Sequence, residues 1–218
     1  MRKTMPAFFG IALAFCSAPL FGETITPTPT PAAAKTVVFL GDSLTAGLGV
    51  QPAEAFPALL AEKIRMAGLP FEVQNAGLSG DTSAGGARRI DWLLQRRIDV
   101  LVVELGANDG LRGLELKSMK ANLQAIIDKT KAKNPQVKIV LAGMQVPPNL
   151  GADYADGFQR VFAELAKENN ATLIPFLLEG VGGRRDLNQP DLIHPSAAGH
   201  RVVADLVWRS LEPVLRQP

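Results

Sequence analysis

Short apolar runs alternate with amphipathic stretches along most of the chain, and this alternation constrains the fold more than any other feature. Runs typical of buried strands lie at residues 36–40, 71–74, 100–105, 137–142 and 172–174. Helical patterns span residues 53–66, 82–97, 117–133, 154–168 and 196–214. Continuous apolar strands that alternate with helices form parallel sheets covered on both faces. Because crossovers between parallel strands are right-handed, we predict a three-layer α/β/α sandwich around a five-stranded parallel sheet.

The first 22 residues have the pattern of an export signal. Arg2 and Lys3 precede an apolar segment at residues 8–15, and Gly22 ends the small residues that follow. The apolar segment is too short for a membrane-spanning helix, which takes about 20 residues. We therefore predict a signal peptide over residues 1–22 and a periplasmic or secreted protein. Lipid attachment at Cys16 is the less favoured alternative, because a bulky aromatic residue precedes the cysteine.

Residues 23–34 contain a Pro/Thr repeat, TITPTPTP, that cannot build a packed core. This segment is predicted to be an extended linker, and residues 35–218 are predicted to form one domain. Removal of the signal would leave no cysteine, which excludes thiol catalysis and disulfides. It would also reduce the 23 basic side chains to 21, equal to the 21 acidic ones. A neutral domain does not attract nucleic acid, so we expect a small-molecule partner. We also expect no transmembrane segment and a monomer.

Polar residues cluster after the predicted strands. Residues 41–45 (GDSLT), 75–77 (NAG) and 106–109 (GAND) each follow a strand, and residues 191–195 (DLIHP) precede the last helix. In open parallel sheets, ligands bind beyond the carboxyl ends of the strands. We therefore expect these four clusters to meet at one edge of the sheet.

The residue types in these clusters fit acyl transfer. Ser43 lies where a strand turns into a helical turn, and a serine hydroxyl needs a neighbouring base to act as a nucleophile. His194 is one of two histidines, and Asp191 lies three residues before it, close enough to accept from the ring and set its tautomer. Candidate donors to an oxyanion are the Ser43 N–H, the Gly77 N–H and the Asn108 amide.

No metal or cofactor is implied by the sequence. His200 has no cysteine partner for a zinc site in the mature chain, and we expect it to pack or to face solvent on the last helix. Arg88 and Arg89 are expected on a solvated helix face, and Trp92 in the core or at its edge. Three leucines after Asn108 either line a groove for an acyl chain or simply pack: Leu111, Leu114 and Leu116.

These blocks resemble the SGNH, or GDSL, hydrolase family. The nucleophile block is Gly41-Asp42-Ser43-Leu44, and Gly77, Asn108 in a Gly-x-Asn-Asp block and Asp191-x-x-His194 complete the pattern. Residues 106–113, 146–151 and 193–195 are most similar to the exported thioesterase I/lysophospholipase/arylesterase group. The resemblance covers residues 37–215. Ala107 is a departure, since many relatives have glycine there.

The resemblance implies a flavodoxin-like fold and a serine esterase that forms an acyl-enzyme. It implies that Ser43 is the nucleophile, His194 the general base and then acid, and Asp191 the residue that orients His194. It also implies an oxyanion hole formed by Ser43, Gly77 and Asn108, and no metal or cofactor. The implied substrates are acyl esters and thioesters, including acyl-CoA, aryl esters and lysophospholipids.

Other protein classes fit parts of the pattern. A receiver-like signalling module also alternates strands and helices, but it needs a phosphate-accepting Asp where this chain has Glu104-Leu105-Gly106. A solute-binding protein usually has two lobes, which one domain of this size lacks. The α/β-hydrolase fold needs Gly-x-Ser-x-Gly, and the nearest match, residues 77–81, ends in Asp81. Taken by itself, Ser43 could also simply cap a helix N-terminus.

Overall fold

The computed structural model describes Met1 and residues 34–217. The predicted export signal apart from Met1, and the predicted linker apart from residue 34, lie outside the described residues.

Five parallel strands form the sheet, in the order β2-β1-β3-β4-β5. Their bounds are β1 Lys35–Gly41, β2 Phe71–Gly77, β3 Val100–Glu104, β4 Lys138–Ala142 and β5 Thr172–Ile174. The register pairs Gly41 at the end of β1 with Gly77 of β2 and with Glu104 of β3. The ends of these three strands therefore lie side by side, as expected for a site at the carboxyl edge of the sheet.

Helices connect the strands and cover the sheet. Their bounds are α1 Ser43–Ala46, α2 Phe56–Met66, α3 Ser83–Leu93, α4 Ala107–Leu111, α5 Leu116–Lys133, α6 Ala152–Asn169 and α7 Ala197–Arg216. Two short 3₁₀ turns occur at Pro52–Glu54 and Pro148–Leu150. Helix α2 packs on α7, while α5 packs on both α3 and α6, so the helices form two layers with the sheet between them. The predicted three-layer α/β/α fold is confirmed.

The core lies mainly around the two inner strands β1 and β3. Residues 37–41 and 100–104 are all buried, because helices cover both faces and neighbouring strands flank both edges. Strand β2 lies at the edge of the sheet, and its residues are only half-buried or exposed. Unbroken apolar sequence in β1 and β3 is what a strand buried on both faces requires.

Some element ends differ from the sequence prediction. Helix α3 stops at Leu93 instead of continuing to residue 97, and α4 is a helix where a loop was expected. Trp92 is 67% exposed, so its predicted place in the core or at its edge is wrong: α3 buries Ile90 and Leu93 instead. None of the helices formed by the described residues combines the length and apolar character needed to cross a membrane.

Candidate active site

A single helical turn after β1 presents Ser43. The Asp42 side chain accepts from the Leu44 N–H at 3.0 Å and so caps α1, and Gly47 ends the helix in a left-handed conformation with φ 75°. Because Asp42 caps α1, the Ser43 hydroxyl is not the helix cap, in contrast to the alternative in which Ser43 itself has this role. Ser43 is the first residue of the helix, where backbone N–H groups lack an intrahelical acceptor.

The loop before α7 presents Asp191 and His194. Asp191 Oδ1 accepts from the N–H groups of Ile193 and His194, both at 3.0 Å, and the His194 carbonyl accepts from Gln189 N–H at 2.8 Å. Leu192 has φ 61°, a left-handed conformation that is costly for a residue with a Cβ. This loop therefore holds backbone strain next to the histidine, as functional loops often do.

Three side chains form a continuous hydrogen-bonded chain. His194 Nε2 lies 2.9 Å from Ser43 Oγ, and His194 Nδ1 lies 2.6 Å from Asp191 Oδ2. The hydrogen bond from His194 is the main reason why the pKa of Asp191 falls from 3.8 to about 2. An ionised Asp191 holds the proton on Nδ1, which leaves Nε2 as an acceptor facing the serine hydroxyl. Asp191 is 44% exposed and His194 18% exposed, so both remain reachable from solvent.

Asn108 lies beside this chain of residues, in α4. Its Nδ2 donates to Asp42 Oδ2 at 3.0 Å. Asp109, which follows it, is buried and accepts from the Ser83 backbone N–H at 2.8 Å and from the Ser83 hydroxyl at 2.6 Å. These bonds tie α4 to the start of α3. A primary amide has two hydrogens, so Asn108 has one left to donate after it binds Asp42.

Gly77 does not join the site as a donor. Its N–H already donates to Asn75 Oδ1 at 2.9 Å, and Asn75 Nδ2 donates to the Thr45 carbonyl at 2.8 Å. A Cβ on Gly77 would lie 2.2 Å from the Ala46 backbone nitrogen, so glycine is needed for close packing of β2 against α1. The geometry does not support the sequence prediction that Gly77 donates to an oxyanion, because its N–H is occupied.

The loop that follows β2 offers another backbone donor, which the sequence analysis missed. Gly80 has φ 78°, and its N–H has no hydrogen-bond partner within residues 34–217. Arg112 Nη2 donates to the Gly80 carbonyl at 3.0 Å, which holds this loop beside the end of α4. The local signal in the sequence is the Ser79-Gly80-Asp81 turn between a strand and a helix.

Arg89 was also missed, since it was expected on a solvated face. Its guanidinium donates to Asp81 Oδ2 at 2.7 Å, to the Ala76 carbonyl at 2.7 Å and to the Gly41 carbonyl at 2.9 Å. It thereby joins the carboxyl ends of β1 and β2, two residues before Ser43 in the case of Gly41. Arg88, its neighbour on α3, is exposed as predicted.

An apolar groove of about 310 Å³ opens at Ser43, Asn108 and His194. Apolar side chains that line it are Leu111, Met144, Phe176, Leu178, Leu192 and Ile193. Leu111 thus lines the groove, whereas Leu114 is exposed and Leu116 packs against the core. The alternative left open from the sequence is resolved residue by residue.

His200 lies in α7, away from this hydrogen-bonded chain. It is 1% exposed, its Nδ1 accepts from the Phe56 N–H at 3.3 Å, and its ring stacks on the Phe56 ring. Burial lowers the pKa of His200 from 6.5 to about 4. Among the described residues, no group of three or more His, Cys, Asp or Glu side chains could hold a metal ion.

Comparison with known proteins agrees with this architecture. The family model for the GDSL-like lipase/acylhydrolase family matches residues 39–202. The esterase TesA of Pseudomonas aeruginosa is 40% identical over 185 residues, which cover 84% of this chain and 91% of TesA. The thioesterase 1/protease 1/lysophospholipase L1 of Escherichia coli strain K12 is 37% identical over 185 residues, which cover 84% of this chain and 86% of the relative.

A solved structure shares the fold. The psychrotrophic esterase EstA from Pseudoalteromonas sp., in a structure inhibited by monoethylphosphonate, superposes with a TM-score of 0.79 at 35% identity. The match covers 84% of this chain and all of the EstA chain, 100%. With a family model that spans most of the domain and relatives of this identity, the chain belongs to the GDSL-like lipase/acylhydrolase family and is a hydrolase of ester bonds.

Proposed function

We propose that this protein is a serine esterase in which Ser43, His194 and Asp191 act as a catalytic triad through an acyl-enzyme. The observation that carries the proposal is the continuous chain from Ser43 Oγ to His194, at 2.9 Å, and on to Asp191, at 2.6 Å. This chain opens into an apolar groove able to hold an acyl group. A nucleophile, a base and a group that orients the base are what acyl transfer requires.

Acylation follows from these positions. Ser43 Oγ attacks the carbonyl carbon of the ester while His194 Nε2 takes the hydroxyl proton, and Asp191 stabilises the imidazolium that forms. The tetrahedral intermediate then collapses. The bond to the leaving oxygen or sulfur breaks, and His194 returns the proton to the departing alcohol or thiol. In the second half, His194 deprotonates a water that attacks the acyl-Ser43 carbonyl. The bond from the carbonyl carbon to Ser43 Oγ then breaks, the carboxylic acid leaves, and His194 returns the proton to Oγ.

The oxyanion is assigned to three donors, in α1, in α4 and in the loop after β2. The Ser43 N–H and the second hydrogen of the Asn108 amide are the first two, and the unpartnered Gly80 N–H takes the place predicted for Gly77. A crystal structure of a Ser43 phosphonate adduct tests this assignment. We expect the phosphoryl oxygen to lie within hydrogen-bond distance of all three nitrogens. A Gly80 nitrogen beyond this distance would show that another group is the third donor.

The substrates proposed are acyl esters and thioesters, of the aryl ester, acyl-CoA and lysophospholipid types. The groove is lined mainly by apolar side chains, which suits a fatty acyl chain. The similar proteins named above are an esterase and a thioesterase 1/lysophospholipase L1, which supports the same range. Apolar pockets discriminate by only about 1–3 kcal/mol per methylene, so we expect several chain lengths to be accepted.

The test is active-site labelling of the purified protein with a fluorophosphonate, followed by mass spectrometry of the labelled peptide. A series of p-nitrophenyl esters and an acyl-CoA substrate measure turnover alongside it. We expect the label on Ser43, and loss of both label and turnover in Ser43→Ala, whose circular dichroism should match that of the wild type. Substantial turnover by pure Ser43→Ala would contradict the triad.

We also propose that residues 1–22 direct export and that the mature enzyme begins at Glu23. The support is the basic, apolar and small-residue pattern of that segment. The intact mass of protein recovered from the periplasm or medium should correspond to cleavage after Gly22. An uncleaved chain in the cytoplasm, or a lipid attached to Cys16, would contradict this proposal.

A further inference from the structure

Glu104 places a carboxyl group underneath the nucleophile turn. It is the last residue of β3 and fully buried, with 0% exposure. Its Oε2 accepts from the Thr45 hydroxyl at 2.7 Å and from the Asp42 backbone N–H at 3.2 Å. A Cβ on Gly41 would lie 2.5 Å from this same oxygen, so the glycine that opens the nucleophile block is needed to make room for the carboxyl.

The Glu104 carboxyl lies against Asp42: its Oε2 is 3.2 Å from the Asp42 backbone nitrogen, and the two side-chain carboxyls share a hydrogen bond. Ionised carboxylates only accept hydrogen bonds, so this contact needs one proton between the two groups. No basic side chain of residues 34–217 hydrogen-bonds to either carboxyl, and the buried Glu104 Oε1 receives no hydrogen bond from a described donor. Two adjacent negative charges in such a place would cost far more than one.

The hydrogen bonds of the pair indicate which carboxyl holds the proton. Asp42 accepts on both oxygens, from the Leu44 N–H and from Asn108 Nδ2, each at 3.0 Å, and these bonds favour its ionised form. Glu104 accepts on Oε2 alone. Burial raises the pKa of both carboxyls. At Asp42 the hydrogen bonds from Leu44 and Asn108 oppose this rise, whereas at Glu104 the charge of Asp42 adds to it and holds the pKa well above its usual range.

We propose that Glu104 is a neutral carboxylic acid that donates its proton to Asp42 and so positions Asn108. Asp42 then remains an ionised acceptor held from two sides, and its Oδ2 fixes the orientation of the Asn108 amide. The remaining amide hydrogen is thereby aimed at the place where the oxyanion forms. Glu104 is a positioning residue, since its carboxyl acts on the reaction only through Asp42 and Asn108. This inference rests on the proposed function for the role of Asn108.

Infrared difference spectroscopy tests the protonation state without any substrate. The spectrum of the wild type minus that of Glu104→Gln at neutral pH should contain the C=O stretching band of a protonated carboxylic acid, and the band should shift in heavy water. Carboxylate bands in its place would show that Glu104 is ionised and would overturn the proposal. Because this readout needs no catalysis, it is separate from the Ser43 experiment.

Kinetics test the positioning role. Gln can accept from Thr45 and donate to Asp42 as the neutral acid does, so Glu104→Gln should keep kcat within about threefold of the wild type. Glu104→Leu cannot donate, and we expect kcat to fall by about 10- to 100-fold, part of the effect of one oxyanion donor, with KM little changed. Equal loss in the two variants would show that the charge of Glu104 is required and would overturn the proposal.

A double-variant cycle shows whether Glu104 acts through Asn108. The double variant Glu104→Leu/Asn108→Ala should be no slower than Asn108→Ala alone, because the group that Glu104 positions is already gone. Multiplied losses would overturn the proposed route. Val102→Ala, a change at a buried residue of the same strand whose register partner is Phe39, is the matched control: it should lower stability and leave kcat unchanged. If Glu104→Leu does not fold, the spectrum and the kcat of Glu104→Gln still decide the proposal.

Discussion

At the scale of single residues, the Asn108 amide near Ser43 uses one hydrogen for a neighbour and keeps the other free. Asn108 Nδ2 gives one hydrogen to Asp42 Oδ2, at 3.0 Å, and its second hydrogen faces no acceptor among the described residues. A donor fixed in advance stabilises charge that develops during the reaction without having to reorganise. The hydrogen bond to Asp42 is therefore what gives the free hydrogen a defined direction.

Removal of this amide should slow the chemical step. For Asn108→Ala we expect kcat to fall by roughly 10²–10³, the effect of one oxyanion donor, with KM little changed. Steady-state kinetics on a p-nitrophenyl ester measure both constants. Asn134→Ala is the control, because Asn134 donates to the Ile98 carbonyl at the far end of the sheet. A rise in KM at constant kcat would instead make Asn108 a group that binds the ground state.

At the scale of elements, the site depends on how firmly β1 and β2 are joined where they end. Arg89 makes three hydrogen bonds across this junction and is only 23% exposed. Lysine is a point charge and cannot reproduce the planar fork that reaches Asp81, Ala76 and Gly41 together. With lysine at this position, the carbonyls of buried Gly41 and half-buried Ala76 would lose a charged donor.

Arg89→Lys should therefore destabilise the fold near the nucleophile. We expect the free energy of unfolding to fall by about 2–4 kcal/mol, measured by urea denaturation. Arg88→Lys, on the exposed side of the same helix, should change it by less than about 0.5 kcal/mol. Equal stability of the two variants would mean that solvent replaces Arg89 at the strand ends.

The elements also show where sequence patterns suffice. Strands β1 and β3 were predicted correctly, because burial on both faces leaves an unbroken apolar run. Trp92 was expected in or near the core and is exposed, whereas Arg89 was expected on a solvated face and is only partly exposed. The helical pattern of α3 does not say which neighbouring groups contact each face. Helix α4 was missed because its sequence, ANDGL, has no apolar periodicity. Its position depends instead on the bonds between Asp109 and Ser83.

At the scale of the whole molecule, buried His200 couples folding to pH. Its pKa is lowered to about 4 in the folded protein, against 6.5 when exposed. Between these values the unfolded chain takes up a proton that the folded chain does not, so stability falls as pH drops from 6.5 to 4. Above pH 6.5 His200 is neutral in both states and adds no pH dependence, and the loss, complete near pH 4, amounts to about 3 kcal/mol.

His200→Asn should weaken this dependence. Asn retains an acceptor for the Phe56 N–H that His200 now binds, but it does not titrate. Urea denaturation at pH 7 and pH 4.5 measures the loss of stability on acidification for each protein. The loss should be smaller in the variant than in the wild type, and equal losses would place the acid sensitivity elsewhere.

The amino-acid sequence determined the layer architecture and the succession of strands and helices along the chain. It also determined most of the candidate site: Ser43, Asn108, Asp191 and His194. These follow from local pattern, because apolar periodicity defines buried elements and loops after parallel strands share one edge. Only the tertiary structure decided that Gly77 packs and bonds to Asn75, that Arg89 joins two strand ends, and that Glu104 lies buried against Asp42. Such roles depend on which polar atoms find a partner after the chain has folded. That pairing is non-local: Glu104 and Thr45 are 59 residues apart in the sequence, yet they share a hydrogen bond of 2.7 Å.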